Sequence, residues 1–204
     1  MGFCSASASI ARYRIVEEVP SSLWMEIPER LRRFAFKDID QSAEERSFGW
    51  SNADNWLDTT WGEGSPQKGD YFVFNLRLET RRVSPAVFKK YFELSLVDAE
   101  REARQKGQKF VGRNQKKELK EQVRLRLMAR ALPVPAVFEV AWNIQTGHVW
   151  LASTNGKVKE MFTNFFTDTF ELHLEPVTPF FLGLSLLGQE AGPRLEALEP
   201  ADFA

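Results

Sequence analysis

Period-two alternation is strongest between Asp70 and Val83, where Phe72, Phe74, Leu76 and Leu78 alternate with Tyr71, Val73, Asn75, Arg77 and Glu79. That spacing predicts a long strand with one apolar face. A shorter strand is predicted over Ile10–Val16, followed by a helix over Ser22–Phe34, in which Leu23, Ile27, Leu31 and Phe34 recur at helical spacing. Ser84-Pro85 then marks a helix start, with a capping hydroxyl before a proline at the first helical position. Phe88, Phe92, Leu96 and Ala99 give that helix one inward face, and Gly107 and Gly112 interrupt it. A second helix is predicted over Gln115–Ala131, with Leu119, Val123 and Leu127 inward and Pro133-Val134-Pro135 as its stop.

Beyond the prolines, strands are predicted over Val137–Asn143 and His148–Ser153, joined through Gln145-Thr146-Gly147. A helix over Asn155–Thr167 and a strand over Phe170–Glu175 follow. Residues 37–68 are polar, rich in Gly, Ser and Asp, and carry Trp50, Trp56 and Trp61. They read as an aromatic-pinned loop region with little regular structure. The order of elements gives an α+β class with antiparallel strands and a projecting basic helix pair. The expected organisation is one domain over residues 1–180, a helical finger at about 84–132 within it, and an apolar, then acidic, flexible tail over 181–204.

The 204 residues are 43% hydrophobic and 27% charged, the balance of a folded soluble chain rather than a disordered one. One cysteine, Cys4, excludes an intramolecular disulfide framework and a multi-cysteine metal site. No apolar run reaches membrane-spanning length, and Met1–Ala11 lacks the pattern of a secretory signal, so a cytosolic location without membrane partners is expected.

The net charge of −1 conceals an asymmetry. Between Arg101 and Arg130 stand eleven basic residues against Glu102, Glu118 and Glu121, so this segment carries +8 and the rest of the chain −9. At about 100° per residue, Lys117, Lys120 and Arg124 share about 60° of helical arc, and Arg113 joins them if the helix begins early. Their long side chains can reach outward beside the apolar stripe. A cationic ridge of this kind complements a phosphate backbone. Lys117, Lys120, Arg124 and Arg130 are the leading candidates for DNA contacts, with Arg113 and Lys116 next. A lysine-rich solvated helix face has the same composition.

The succession of motifs adds a resemblance. Phe48-Gly49-Trp50 precedes the long strand, and Arg82-Val83-Ser84-Pro85-Ala86-Val87-Phe88-Lys89 leads into the first long helix. Lys117-Glu118-Leu119-Lys120-Glu121-Gln122-Val123 and Arg130-Ala131-Leu132 follow, then a Trp-bearing strand, the Gly147 turn and another strand. Over residues 10–180 this order resembles the RdgC family of bacterial recombination-associated proteins. The resemblance implies a non-enzymatic, nucleoid-associated protein that binds DNA, duplex or single-stranded, with little sequence preference and needs no cofactor. It further implies a homodimer closed into a ring around DNA, restraint of RecA-driven recombination, and a finger formed by the helix pair. The family's chains continue through a further C-terminal region, whereas this chain stops at Ala204. Where the family commonly has Pro-Arg-Ala-Phe, this chain has Ala129-Arg130-Ala131-Leu132, which replaces an aromatic ring by leucine.

Other chemistries have weaker support in the sequence. Asp70 and Glu79, with Arg81 close by, distantly suggest a metal-dependent nuclease, but arginine cannot serve as a general base, and surface strand charges are the simpler reading. Cys4 has no histidine near it in sequence, and His148 and His173 read as sheet residues. Asn155-Gly156-Lys157 could present backbone N–H groups to a phosphate, as any helix start could. The three tryptophans could stack on bases, although pinning a loop is the commoner use. Phe180-Phe181-Leu182 with Leu184, Leu186 and Leu187 could form a self-association surface. A protein-interaction module that docks an acidic partner through the basic helix is the alternative from another functional class.

Overall fold

A computed structural model describes all residues except 1, 4, 43, 63, 108, 109 and 200–204. Cys4, which has no histidine near it in sequence to make it a nucleophile, and Lys109 of the basic run lie outside the described residues. The strands are β1 (Ala11–Ile15), β2 (Arg46–Asn52), β3 (Gln67–Lys68), β4 (Tyr71–Arg81), β5 (Pro133–Asn143), β6 (His148–Leu151) and β7 (Leu174–Pro176). The helices are α1 (Leu23–Arg33), α2 (Pro85–Gln105), α3 (Arg113–Met128), α4 (Gly156–Phe170), α5 (Pro179–Leu187) and α6 (Gly192–Glu196). The strands form one seven-stranded sheet in the order β2-β4-β5-β6-β1-β7, with β3 paired to β4. The fold is α+β, and β1 pairs antiparallel with both β6 and β7, as β5 does with β6.

The chain divides into two compact units, Met1–Phe36, Gly49–Arg77 and Val137–Ala204 in one, Lys37–Phe48 and Leu78–Ala136 in the other. The first unit holds the aromatic core. Ile27 and Leu31 of α1 and Phe162, Phe166 and Phe170 of α4 are buried with Phe74, Trp142 and Leu151. Aromatic rings meet edge to face here, as in Trp50–Phe74 at 5.1 Å and Trp142–Phe166 at 5.2 Å, the geometry that their quadrupoles favour. Asn155 caps α4 by accepting from the amides of Lys157 and Val158. That occupies two of the backbone N–H groups considered above for a phosphate.

Four local expectations change. The loop region contains the seven-residue strand β2, whose sequence RSFGWSN conceals its period because polar Ser51 and Asn52 are buried along with Trp50. The second helix stops at Met128, and Pro133 opens β5 rather than closing the helix. Proline, which cannot donate to a ladder, is tolerated at a strand start. The helix expected over Asn155–Thr167 runs on to Phe170, since Phe166 and Phe170 continue its buried face, so β7 begins only at Leu174 and His173 precedes it. Residues beyond Pro179 form α5, a 3-10 turn at Gln189–Ala191 and α6, where a flexible tail was expected.

Strand β4 turns its apolar face, with Phe72, Phe74 and Leu76, into the core as expected, and its polar face is buried as well. Asn75, Arg77, Glu79 and Arg81 on the alternate face are all buried. Asn75 Nδ2 donates to the Asn52 carbonyl at 2.7 Å. The Arg77 guanidinium lies 4.1 Å from the Phe36 ring centre and 4.9 Å from that of Trp56. Stacking on aromatic faces is one of the few ways to bury this cation. Trp50 and Trp61 are buried, as the pinned-loop reading expected, and are unavailable to bases.

Candidate nucleic-acid interface

The basic residues of the sequence converge on a helical hairpin within the second unit. Pro85 holds the first turn of α2 in place, while the Ser84 hydroxyl makes no capping bond, contrary to expectation. Along α2, Phe88 and Phe92 are half-buried and stack with ring centres 6.1 Å apart. The helix ends through amides of Lys106 and Gly107 that bond back to Ala103 and Arg104, and Gly107 adopts φ 76°, a left-handed value that glycine reaches without strain. Ala103, Val111 and Val123 form the buried seam, and Arg126 Nη2 donates to Ser95 Oγ at 3.2 Å across the two helices. Val123, 2% exposed, fixes which face of α3 turns inward.

Helix α3 begins at Arg113, early enough to bring Arg113 onto the arc shared by Lys117, Lys120 and Arg124. These four span about 17 Å along the helix axis, and all are exposed. Lys116 is also exposed but lies about 100° round the helix from Lys117. Arg130 is exposed in the turn after α3 and so stands outside the arc.

The charges are not neutralised locally. On α2, Lys89 pairs with Glu93 at 4.0 Å and Arg101 with Asp98 at 3.6 Å. None of Arg113, Lys116, Lys117, Lys120, Arg124 and Arg130 forms an ion pair among the described residues. The first turn of α3 contains no acidic residue, and Arg113, Lys116 and Lys117 crowd that end. Cations at a helix N-terminus oppose the macrodipole and cost the helix a few tenths of a kcal/mol each, about 0.3 or more. Helix stability gives no reason for their presence, whereas an anion at this end gains from both the cations and the dipole.

The other candidate chemistries do not converge. Asp70 is exposed in the turn before β4, whereas Glu79 is buried and Arg81 is committed to backbone carbonyls. The surface-charge reading is therefore wrong for Glu79 and Arg81. Among the described residues no group of three or more His, Cys, Asp and Glu side chains is arranged to hold a metal ion. His148 lies in β6, and His173 Nδ1 contacts Glu17 Oε1. No helix of the described residues is long and apolar enough to cross a membrane. The sequence reading passed over one exposed aromatic, Phe110 in the hairpin turn, because it lay in a short run that suggested only a basic turn.

Comparison with known proteins agrees with the order of motifs. No curated protein matches the chain. A family model described as "Putative exonuclease, RdgC" matches residues 8–181 of the 204. With most of its length inside that match and an α+β fold to go with it, the chain belongs to the RdgC family of recombination-associated, DNA-binding proteins.

Proposed function

We propose that this chain binds DNA through the sugar–phosphate backbone, with little sequence preference, using the outward arc of α3. The observation that carries the reading is the set of exposed cations, unpaired among the described residues, on a helix whose flank beside the arc is held by buried Val123. Lys117, Lys120, Arg124 and Arg113 supply the main phosphate contacts, with Lys116 and Arg130 extending the field beyond the arc. Contacts to phosphate position a protein on DNA without reading its bases. By occupying or encircling DNA as a homodimer, the protein obstructs recombination enzymes in the nucleoid and performs no covalent chemistry of its own.

Fluorescence anisotropy on unrelated duplex and single-stranded oligonucleotides across a salt series tests this reading. Four to six phosphate contacts give a log–log slope on duplex of about −4 to −5. A shallow slope, or binding confined to one sequence, would overturn it. Absence of binding at low salt would instead favour an acidic protein partner for α3. The exonuclease named in the family description is the second reading, and labelled DNA incubated with Mg²⁺ or Mn²⁺ decides it. Cleavage above background that tracks the purified protein would establish an enzyme.

A further inference from the structure

Phe110 stands in the turn between α2 and α3 with 77% of its surface exposed, the most exposed aromatic side chain among the described residues. Its neighbour Val111 is 7% exposed, and Gly112, which caps α3, donates its amide to Gln115 Oε1 at 3.0 Å. The turn therefore anchors itself through Val111 and leaves the ring outside. A single exposed apolar residue is ordinary on a protein surface. The company of this one is not ordinary: Lys106 precedes it, and Arg113 and Lys116 follow, all exposed. An aromatic face flanked by cations is the arrangement by which proteins hold single strands, the cations following the backbone while the ring stacks on a base.

We propose that Phe110 is a base-stacking residue for single-stranded nucleic acid, continuous with the cationic arc of α3. This deepens, and rests on, the reading of α3 as a DNA-binding face. The preference for single strands follows from the cost of reaching a base. In an unpaired strand the base offers its face freely, whereas in a duplex the ring gains contact only by unstacking a base step, which offsets the gain. Of the tryptophans that composition suggested for stacking, Trp50 and Trp61 are buried, and Trp56, 37% exposed, already carries the Arg77 guanidinium 4.9 Å from its ring centre.

The test compares the full chain with Phe110→Ala, Phe110→Leu and Phe110→Trp on oligothymidine and on a duplex of equal length. Phe110→Ala should weaken oligothymidine binding by about ten-fold, leave duplex binding within about two-fold, and keep the salt slope, because no phosphate contact is lost. Phe110→Leu should behave like the alanine variant, and Phe110→Trp should bind like wild type with its emission quenched by oligothymidine. Equal losses on both substrates, no loss on either, or a leucine variant that binds like wild type would each overturn the proposal. A loss confined to duplex would make Phe110 an intercalating wedge and overturn it as well. If wild type binds neither substrate at low salt, the DNA reading of α3 itself fails. If wild type binds both with a steep salt dependence and Phe110→Ala changes nothing, this inference alone fails.

Discussion

Arg81, near the end of β4, donates through Nη1 to the carbonyl of Ala131, in the short link between α3 and β5. The same guanidinium, on a residue 8% exposed, also donates to the carbonyls of Ile39, Asp40, Ser42 and Glu44. Its planar fork thus meets five backbone acceptors at a largely buried site. One buried cation ties the exit of the basic helix to β4 and to the loop of the second unit.

Replacing that fork should be expensive. Arg81→Met removes the donor and leaves several carbonyls unsatisfied, a loss of about 3 kcal/mol. Arg81→Lys keeps the charge, cannot serve all five acceptors, and should fall between the two. Urea denaturation of the three proteins would show this order.

Neutralising the arc should act on binding and spare the fold. The triple variant Lys117→Ala, Lys120→Ala, Arg124→Ala removes three exposed side chains, so stability should move by no more than about 0.5 kcal/mol. Its DNA affinity should fall on every sequence, and its salt slope should become shallower by about 3. Anisotropy across a salt series reads both. An unchanged slope would move the DNA surface elsewhere.

Arg113 permits a sharper test, because its charge opposes the dipole of the helix it begins. Arg113→Glu should stabilise the protein by about 0.5 kcal/mol while weakening DNA binding. Thermal melts and anisotropy on one preparation would reveal the opposite signs.

Gly49 should tolerate no side chain. A Cβ built there would lie 2.4 Å from both the Cα and the amide nitrogen of Phe36. The close approach exists because Phe36 donates its amide to the Trp50 carbonyl at 2.9 Å and Trp50 donates to Phe34 at 3.0 Å. Gly49→Ala should therefore cost more than about 3 kcal/mol, through backbone displacement. A soluble variant with near wild-type urea midpoint would contradict this account.

Stability at acid pH should depend on Glu17. Its carboxylate accepts the His173 amide at 2.9 Å, and this bond, ahead of the contact with the His173 ring, holds its pKa below the usual glutamate value. Unfolded chains then bind the proton more tightly than the folded protein. The contribution is present above the ordinary glutamate pKa and is lost as pH falls through the lower, folded value. Glu17→Gln should lower stability near neutrality, where the contribution is present, and converge on wild type as pH falls through that acid window. Denaturant midpoints measured from acid to neutral pH would check it.

The hairpin was legible because two long helices have the period that amphipathic packing demands. Phe88, Phe92, Val123 and Leu127 turn inward or half inward, and only the borders of the helices moved. The basic residues were legible for the same reason, since helical geometry alone assigns Lys117, Lys120 and Arg124 to one arc. Strand β2 was not legible, because its polar residues are buried by other parts of the chain and no alternation survives.

By itself, then, the sequence determined the elements whose periods are set locally, the segregation of +8 into one segment, and the order of motifs that marks the family. Tertiary structure alone decided what becomes of polar and aromatic groups, because burial depends on residues far away in the chain. It placed Arg77 between Phe36 and Trp56, spent Arg81 on carbonyls, enclosed Trp50 and left Phe110 in solvent. A side chain's local pattern says which way it points; only its long-range neighbours say whether water is there to meet it.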